Sequence, residues 1–194
     1  TSAADDDAGG SLPGGHHPGW PRPGGPVQGR LHRARWVPCA MPIKQTVPFV
    51  LDAEGTGVSQ RLVAAGEHEH VFTADTYPSF GGDDAAPSPL SYLLGALTSC
   101  NQVTGSLVAS GLGIEVGRWS FHIQGDLDPA VIAGGAEGNA NFDKVGVQVT
   151  VETDATEEQF ATFASETERR CPVTQMFKRS GLVYTSDWKR LPLS

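Results

Sequence analysis

The chain is poor in the residue types that usually announce a site. Of its 194 residues, three are cysteine, two methionine and three tyrosine. So few thiols, and an odd number of them, exclude the disulfide framework of a small secreted domain and fit a reducing compartment. Basic residues are scarce as well. Fourteen Lys and Arg stand against 22 Asp and Glu, for a formal charge of -8. Residues 1–40, with four Arg and three Asp, carry +1, so the remainder carries -9. An acidic domain of this kind does not suggest nucleic-acid binding through a basic surface. No apolar run approaches the roughly 18 to 20 residues of a membrane span. The N-terminal stretch lacks the apolar segment of a secretory signal. The expectation is a cytoplasmic protein with neither a nucleic acid nor a membrane as partner. Gly-rich phosphate loops, a G-x-S-x-G elbow and a C-x-x-C pair are also missing.

Hydrophobic content is 39%, a little low for a globular protein, and much of the deficit falls in the first forty residues. Segments such as Asp5-Asp-Asp-Ala-Gly-Gly10 and Pro21-Arg-Pro-Gly-Gly-Pro26 have no apolar period. They cannot bury enough surface to offset the entropy of ordering. Residues 1–40 therefore read as a Gly/Pro-rich tail outside the functional domain, and 41–194 as one domain beginning at Met41. Cys39 and the pair His16-His17 fall in that tail and receive no role.

Beyond the tail the pattern is α+β. Val58–Leu62 reads as a strand after a turn at Gly55 and Gly57, and Glu67–Ala74 alternates as a second. Gly81-Gly-Asp-Asp-Ala-Ala-Pro87 is a loop. Ser88 is a helix cap and Pro89 a first helical residue. From there to about Ser110, Leu90, Leu93, Leu97, Cys100, Thr104 and Leu107 form one stripe. Gly95, Ala96, Ser99 and Gly105 make other faces small, which predicts a central helix covered by neighbours and closed by Gly111 and Gly113. A strand over 115–124 follows, then a loop over 126–143. The alternation of Val145, Val147, Val149 and Val151 is the clearest strand. Asp154-Ala-Thr-Glu157 offers a capping box for a helix ending near Arg170. Cys171-Pro172 restarts a short helix to about Arg179, and Leu182–Trp188 is a last strand. The order predicts antiparallel sheets wrapped around a buried helix, not alternating βαβ units.

Two cysteines carry the chemistry. Cys171 precedes a proline at a helix start, near unpaired amides and the adjacent Arg169 and Arg170, and each of these lowers a thiol pKa. It reads equally well as a small cap beside a proline. Cys100 lies on the apolar stripe, where burial favours the neutral thiol. From the helix alone it reads as a small hydrophobe. His68 and His70 share a strand face and with Cys100 could hold a metal, although no fourth ligand lies at close spacing. They and His122 read as solvent-facing strand residues.

The run from Gly81 to Cys100 resembles the helix-bearing motif of the OsmC/Ohr family, and so does Arg170-Cys171-Pro172-Val173 with the strand before it. The likeness covers about residues 58 to 190. It implies an α+β fold in which two subunits intertwine into a homodimer around buried central helices. It further implies a thiol peroxidase that reduces organic hydroperoxides, with Cys100 as the peroxidatic cysteine and Cys171 as the resolving one. A dithiol reductant such as a dihydrolipoyl protein would regenerate the pair, with no metal or organic cofactor. Peroxidatic members carry a glutamate just after the helix-starting proline, whereas this chain has Leu90 and Ser91. The motif is similar to the OsmC-like branch with a Ser-Pro helix start. For the arginine that activates the thiolate, the candidate is Arg61 on an early strand. Two other readings stay open on the same scaffold: binding of a hydrophobic small molecule with incidental thiols, and redox sensing without peroxidase turnover.

Overall fold

Proline and glycine set the element boundaries, and the apolar alternation of one strand sets the core. The structure, a computed structural model, describes residues 46–194. The expected tail over 1–40, with Cys39 and His16-His17, lies outside the described residues. Strands β1 (Leu51–Thr56), β2 (Ser59–Ala64) and β3 (His70–Ala74) form an antiparallel sheet in that order. A hairpin turn at Gly57, in the left-handed region, joins the first two. β1 escaped the sequence pattern because every one of its residues is exposed, so no burial alternation marks it. His68 precedes β3 and does not share a strand face with His70.

Helix α1 (Pro89–Leu112) begins as expected, with Ser88 Oγ accepting from Ser91 N at 3.1 Å and Pro89 at the first position. Gly113, in the left-handed conformation, closes it. Its buried face differs from the expected stripe. Leu97, Asn101, Thr104, Gly105, Val108 and Ala109 are buried, while Leu90, Leu93, Val103 and Leu107 are exposed. Among the described residues the helix is therefore covered on one side, not on all sides. Gly105 faces β4 (Val116–Asp126), and a Cβ there would overlap the Trp119 indole. The small residue lets the helix approach the strand through an aromatic ring.

A short helix α2 (Pro129–Gly134) interrupts the stretch expected to be loop, capped by Asp128 Oδ1 accepting from Ala130 N at 2.9 Å. Strand β5 (Lys144–Thr153) follows. Its four valines, Val145, Val147, Val149 and Val151, are at most 2% exposed. Each contributes about 1.5–3 kcal/mol by leaving water. They pack with Leu97, Val108, Phe142, Phe160, Phe163 and Phe177. Trp119 stacks on Phe121 at 5.8 Å and meets Trp188 edge-on at 6.2 Å, which extends the core to the sheet margin.

Helix α3 (Glu157–Arg170) starts with a capping box, set two residues later than expected. Thr156 Oγ1 accepts from Gln159 N, and Gln159 Oε1 accepts from Thr156 N. Asp154 is engaged elsewhere, accepting from Glu115 N at 2.8 Å. Helix α4 (Pro172–Arg179) leads into β6 (Val183–Leu191). The second sheet has the order β4-β5-β6, with β4 and β5 antiparallel. β6 runs parallel to β5, against the all-antiparallel expectation. The reason is the connection: α3 and α4 together form a crossover long enough to return the chain to the same end of the sheet. The class is α+β, with one βαβ crossover inside it. No helix among the described residues is long and apolar enough to cross a membrane.

Gly105 yields a prediction whose sign separates packing from propensity. Alanine is favoured over glycine in a helix interior by about 1 kcal/mol. Gly105→Ala should nevertheless destabilise the protein by about 1–3 kcal/mol, because the added methyl displaces Trp119. Urea unfolding followed by tryptophan fluorescence measures this, and a stabilised variant would refute the packing account.

Candidate active site

Pro172 determines where the second thiol sits. It has no N–H to continue α3, and it holds the preceding residue in extended backbone. Cys171 accordingly has φ -72° and ψ 113° and ends one helix while starting the next. Its N–H donates to Thr167 O at 2.9 Å, and its carbonyl accepts from Gln175 N at 3.0 Å. Its Sγ takes the place of a hydroxyl cap, accepting from Thr174 N at 3.4 Å. The side chain is fully buried.

Cys100 lies in the middle of α1, between the buried face and the exposed one, and is partly exposed. The crossover brings α4 against α1, and the two thiols, 71 positions apart in sequence, become neighbours, with Cys171 close enough to act on the Cys100 thiol. Neither is in a disulfide. Burial pushes the Cys100 thiol above its ordinary value. The Val173 N–H and the Thr104 hydroxyl pull the other way, and Cys171 adds to the rise. No cation is among these groups.

Arg61 is exposed on β2, opposite Thr73 of β3 and Glu54 of β1, and makes no ion pair among those of the described residues. It does not appear among the groups acting on Cys100. Arg169 is turned to Glu166, at 2.6 Å, and Arg170 is exposed. The groups that favour a thiolate on Cys100 are the Val173 N–H at the positive end of α4 and the Thr104 hydroxyl. His70 and His122 are exposed strand residues. Among the described residues no group of three or more His, Cys, Asp or Glu side chains is arranged to hold a metal.

Four residues near the thiols had no warning in the hydrophobic pattern. Asn101 and Thr174, both buried, hydrogen-bond across the α1–α4 contact at 3.1 Å. Burial, then the charge of Glu168, holds the Tyr184 phenol well above its ordinary value, with a smaller push from Cys171. Burial opposes ionisation of Glu168, but hydrogen bonds from Lys178, Ser186 and Trp188 outweigh it and bring its pKa below the usual carboxylate range. Lys178 Nζ lies 2.6 Å from Glu168 Oε2, and Trp188 Nε1 donates to Oε1 at 2.9 Å. The local signal for Asn101 was its place beside Cys100 in a helix rich in apolar and small residues.

The family model described as OsmC-like protein matches residues 81–186, a span holding both thiols. The chain belongs to the OsmC-like protein family. No curated protein sequence matches it significantly. Solved structures share its fold. An OsmC-like protein from Mycoplasma pneumoniae superposes with a TM-score of 0.63 at 16% identity, covering 76% of this chain and 99% of its own. An organic hydroperoxide resistance protein from Elizabethkingia anophelis gives 0.59 at 16% identity, with 77% and 100% covered. A protein from Legionella pneumophila with the same designation gives 0.55 at 16% identity, covering 75% and 99%. At such identity the likeness is one of fold.

A thiol held neutral by burial makes a definite prediction for this family member. Alkylation of Cys100 by iodoacetamide should accelerate about tenfold per pH unit from pH 6.5 to 8.5 without levelling, because only the thiolate reacts. Peptide mass spectrometry resolves the two cysteines, and buried Cys171 should label more slowly at every pH. A plateau for Cys100 near neutral pH would mean that a cation stabilises its thiolate.

Proposed function

We propose that this protein is a thiol-dependent peroxidase that reduces organic hydroperoxides through a Cys100/Cys171 dithiol–disulfide cycle. The observation that carries the reading is the meeting of two free thiols from distant helices, one partly exposed and one buried behind it. Two structural neighbours named organic hydroperoxide resistance proteins support the substrate class. The difference in exposure supports the roles. A peroxide reaches Cys100 first, and Cys171, inaccessible from solvent, meets only a sulfur that is already oxidised.

In the first step the Cys100 thiolate attacks the distal peroxide oxygen. The S–O bond forms, the O–O bond breaks, and the alkoxide leaves and takes up a proton to become the alcohol. The Cys171 sulfur then attacks the resulting sulfenic acid. The disulfide forms, and hydroxide leaves with the thiol proton as water. An external dithiol, a dihydrolipoyl protein being the expected kind, exchanges with the disulfide and restores both thiols. The Val173 N–H and the α4 end lie where negative charge on the Cys100 sulfur needs a partner. In this reading they take on part of the work that an arginine does in other peroxidatic members. Burial still outweighs them, so turnover should rise with pH.

The test is consumption of cumene hydroperoxide with dihydrolipoamide. Wild type should turn over, Cys100→Ser should fall to the uncatalysed rate, and Cys171→Ser should stop after one equivalent with a sulfenic acid on Cys100. Normal turnover in Cys100→Ser would refute the reading. If wild type oxidises reversibly without turnover, redox sensing is the better description. A shallow apolar groove of about 450 Å³ along Ser99, Val103, Ser106 and Leu107 is the feature that favours small-molecule binding instead.

The working form in this reading is a homodimer. Val103 and Leu107 on α1 are 64% and 60% exposed, and Phe49 beside the first sheet is 96% exposed. A three-stranded sheet with β1 wholly exposed has too little core to stand by itself. A second copy laid over these surfaces would bury them. Val103→Asp should convert a dimer to monomer in analytical ultracentrifugation, and a wild-type protein that sediments as a monomer at micromolar concentration would refute the pairing.

A further inference from the structure

Asn101 and Thr174 occupy positions where hydrocarbon would ordinarily pack. Asn101 follows Cys100 on α1 and is 1% exposed, and Thr174 lies three residues after Cys171 on α4 and is fully buried. Asn101 Nδ2 donates to Leu97 O at 2.8 Å, which anchors the amide to its own helix, and to Thr174 Oγ1 at 3.1 Å, which reaches the other. The Thr174 hydroxyl also lies 3.3 Å from Asn101 Oδ1. The backbone N–H of the same Thr174 donates to Cys171 Sγ at 3.4 Å. One residue thus touches both the polar clasp and the second sulfur. No buried side-chain nitrogen or oxygen in the described residues lacks a partner.

A buried polar pair adds little stability over well-packed apolar side chains, but it permits one register where apolar surfaces permit several. Register matters here because a disulfide forms only when the two Cα atoms lie within about 4.4–6.8 Å and the Cβ vectors converge. A slide of α4 along α1 by a fraction of a turn would shift Cys171 by an amount comparable to the width of that range. The geometry points to Asn101 and Thr174 as positioning residues that hold α4 in the register where Cys171 can bridge to Cys100. This inference rests on the dithiol reading, since bridge closure is its second step, but it concerns the bridge and not the peroxide. In closure by exchange, glutathione disulfide is reduced to two glutathiones while the two cysteine thiols lose their protons and form the S–S bond.

The experiment equilibrates the full chain with glutathione buffers and obtains, by acid quenching and mass spectrometry, the effective concentration of one thiol for the other. Thr174→Val keeps the shape and removes the hydroxyl. It should lower the effective concentration at least tenfold, and Thr174→Ser should restore it to within threefold of wild type. Val145→Ala, a core change on β5, serves as the control for stability alone. It should lower the melting temperature without changing the effective concentration. Should Thr174→Val not fold, Thr174→Ala and Asn101→Ala are measured on the same scale with the same expectation. Wild-type values in the clasp variants, an equal fall in Val145→Ala, or no bridge in wild type would each overturn the inference. A wild type that bridges with glutathione disulfide but not with cumene hydroperoxide would remove the peroxidase reading and leave the clasp standing.

Discussion

Because Pro172 lacks an amide hydrogen and forbids its neighbour the helical conformation, the crossover from β5 to β6 has to break after Arg170. Everything at the candidate site follows from that break. The residue caught between two helices is Cys171, whose sulfur caps the new helix by accepting the Thr174 N–H. The new helix leaves at an angle that α3 could not have reached by continuing, and its first turn lands on α1 beside Cys100. A continuous helix through residues 157–179 would leave no second helix start for the Cys171 sulfur to cap. The parallel pairing of β5 and β6 needs the length of this crossover, and the break decides where its last turns go.

The electrostatics of the pair are set by a competition that the pH dependence exposes. Burial raises the cost of a thiolate on Cys100, while the Val173 amide and the Thr104 hydroxyl reduce it. Amide dipoles at a helix start are worth about 0.3–1 kcal/mol at exposed positions and up to about 2 in partly buried ones. A buried full positive charge would offer more. With amides alone the balance stays on the neutral side. The charged groups that do lie nearby, Glu168 and Lys178, neutralise each other at 2.6 Å, and their nearest effect falls on Tyr184, not on a sulfur. The site is therefore built for contact between sulfurs more than for a highly acidic thiol.

Much of the scaffold was legible in the sequence, for physical reasons particular to each element. The valines of β5 alternate because one face is dry and the other wet. Ser88-Pro89 marks a helix start because the hydroxyl caps and the proline needs no N–H. The Cys171-Pro172 break is visible for the same steric reason that creates it. β1 was invisible because a strand with no buried face leaves no alternation. The parallel pairing of β6 is a property of the whole crossover and has no local signature. The buried face of α1 was misjudged because leucines at Leu90, Leu93 and Leu107 outweighed Asn101 and Gly105 in the pattern, yet the latter two face the core. A hydrophobic stripe identifies surfaces that need covering, and it does not say whether the cover comes from the same chain. The Asn101–Thr174 contact depends on two residues 73 apart finding each other, and no single-sequence signal encodes that.

Cys100 stands on the border between the two faces of α1, and its environment is consequently only half determined by the described residues. On one side lie Leu97, Asn101 and Thr104, all buried, and on the other Val103 and Leu107, more than half exposed. In a single copy, water on the exposed side would solvate any charge that develops on the sulfur. A hydrophobic cover laid over Val103 and Leu107 would remove that water and drive the thiol pKa higher, since desolvation is already the largest influence on it. A cover carrying a cation would do the reverse, and its effect would be amplified by the lower local dielectric. Whatever occupies the exposed face of α1 thus decides the reactivity of the thiol, while the Pro172 break and the Asn101–Thr174 clasp decide only that a second sulfur is waiting behind it.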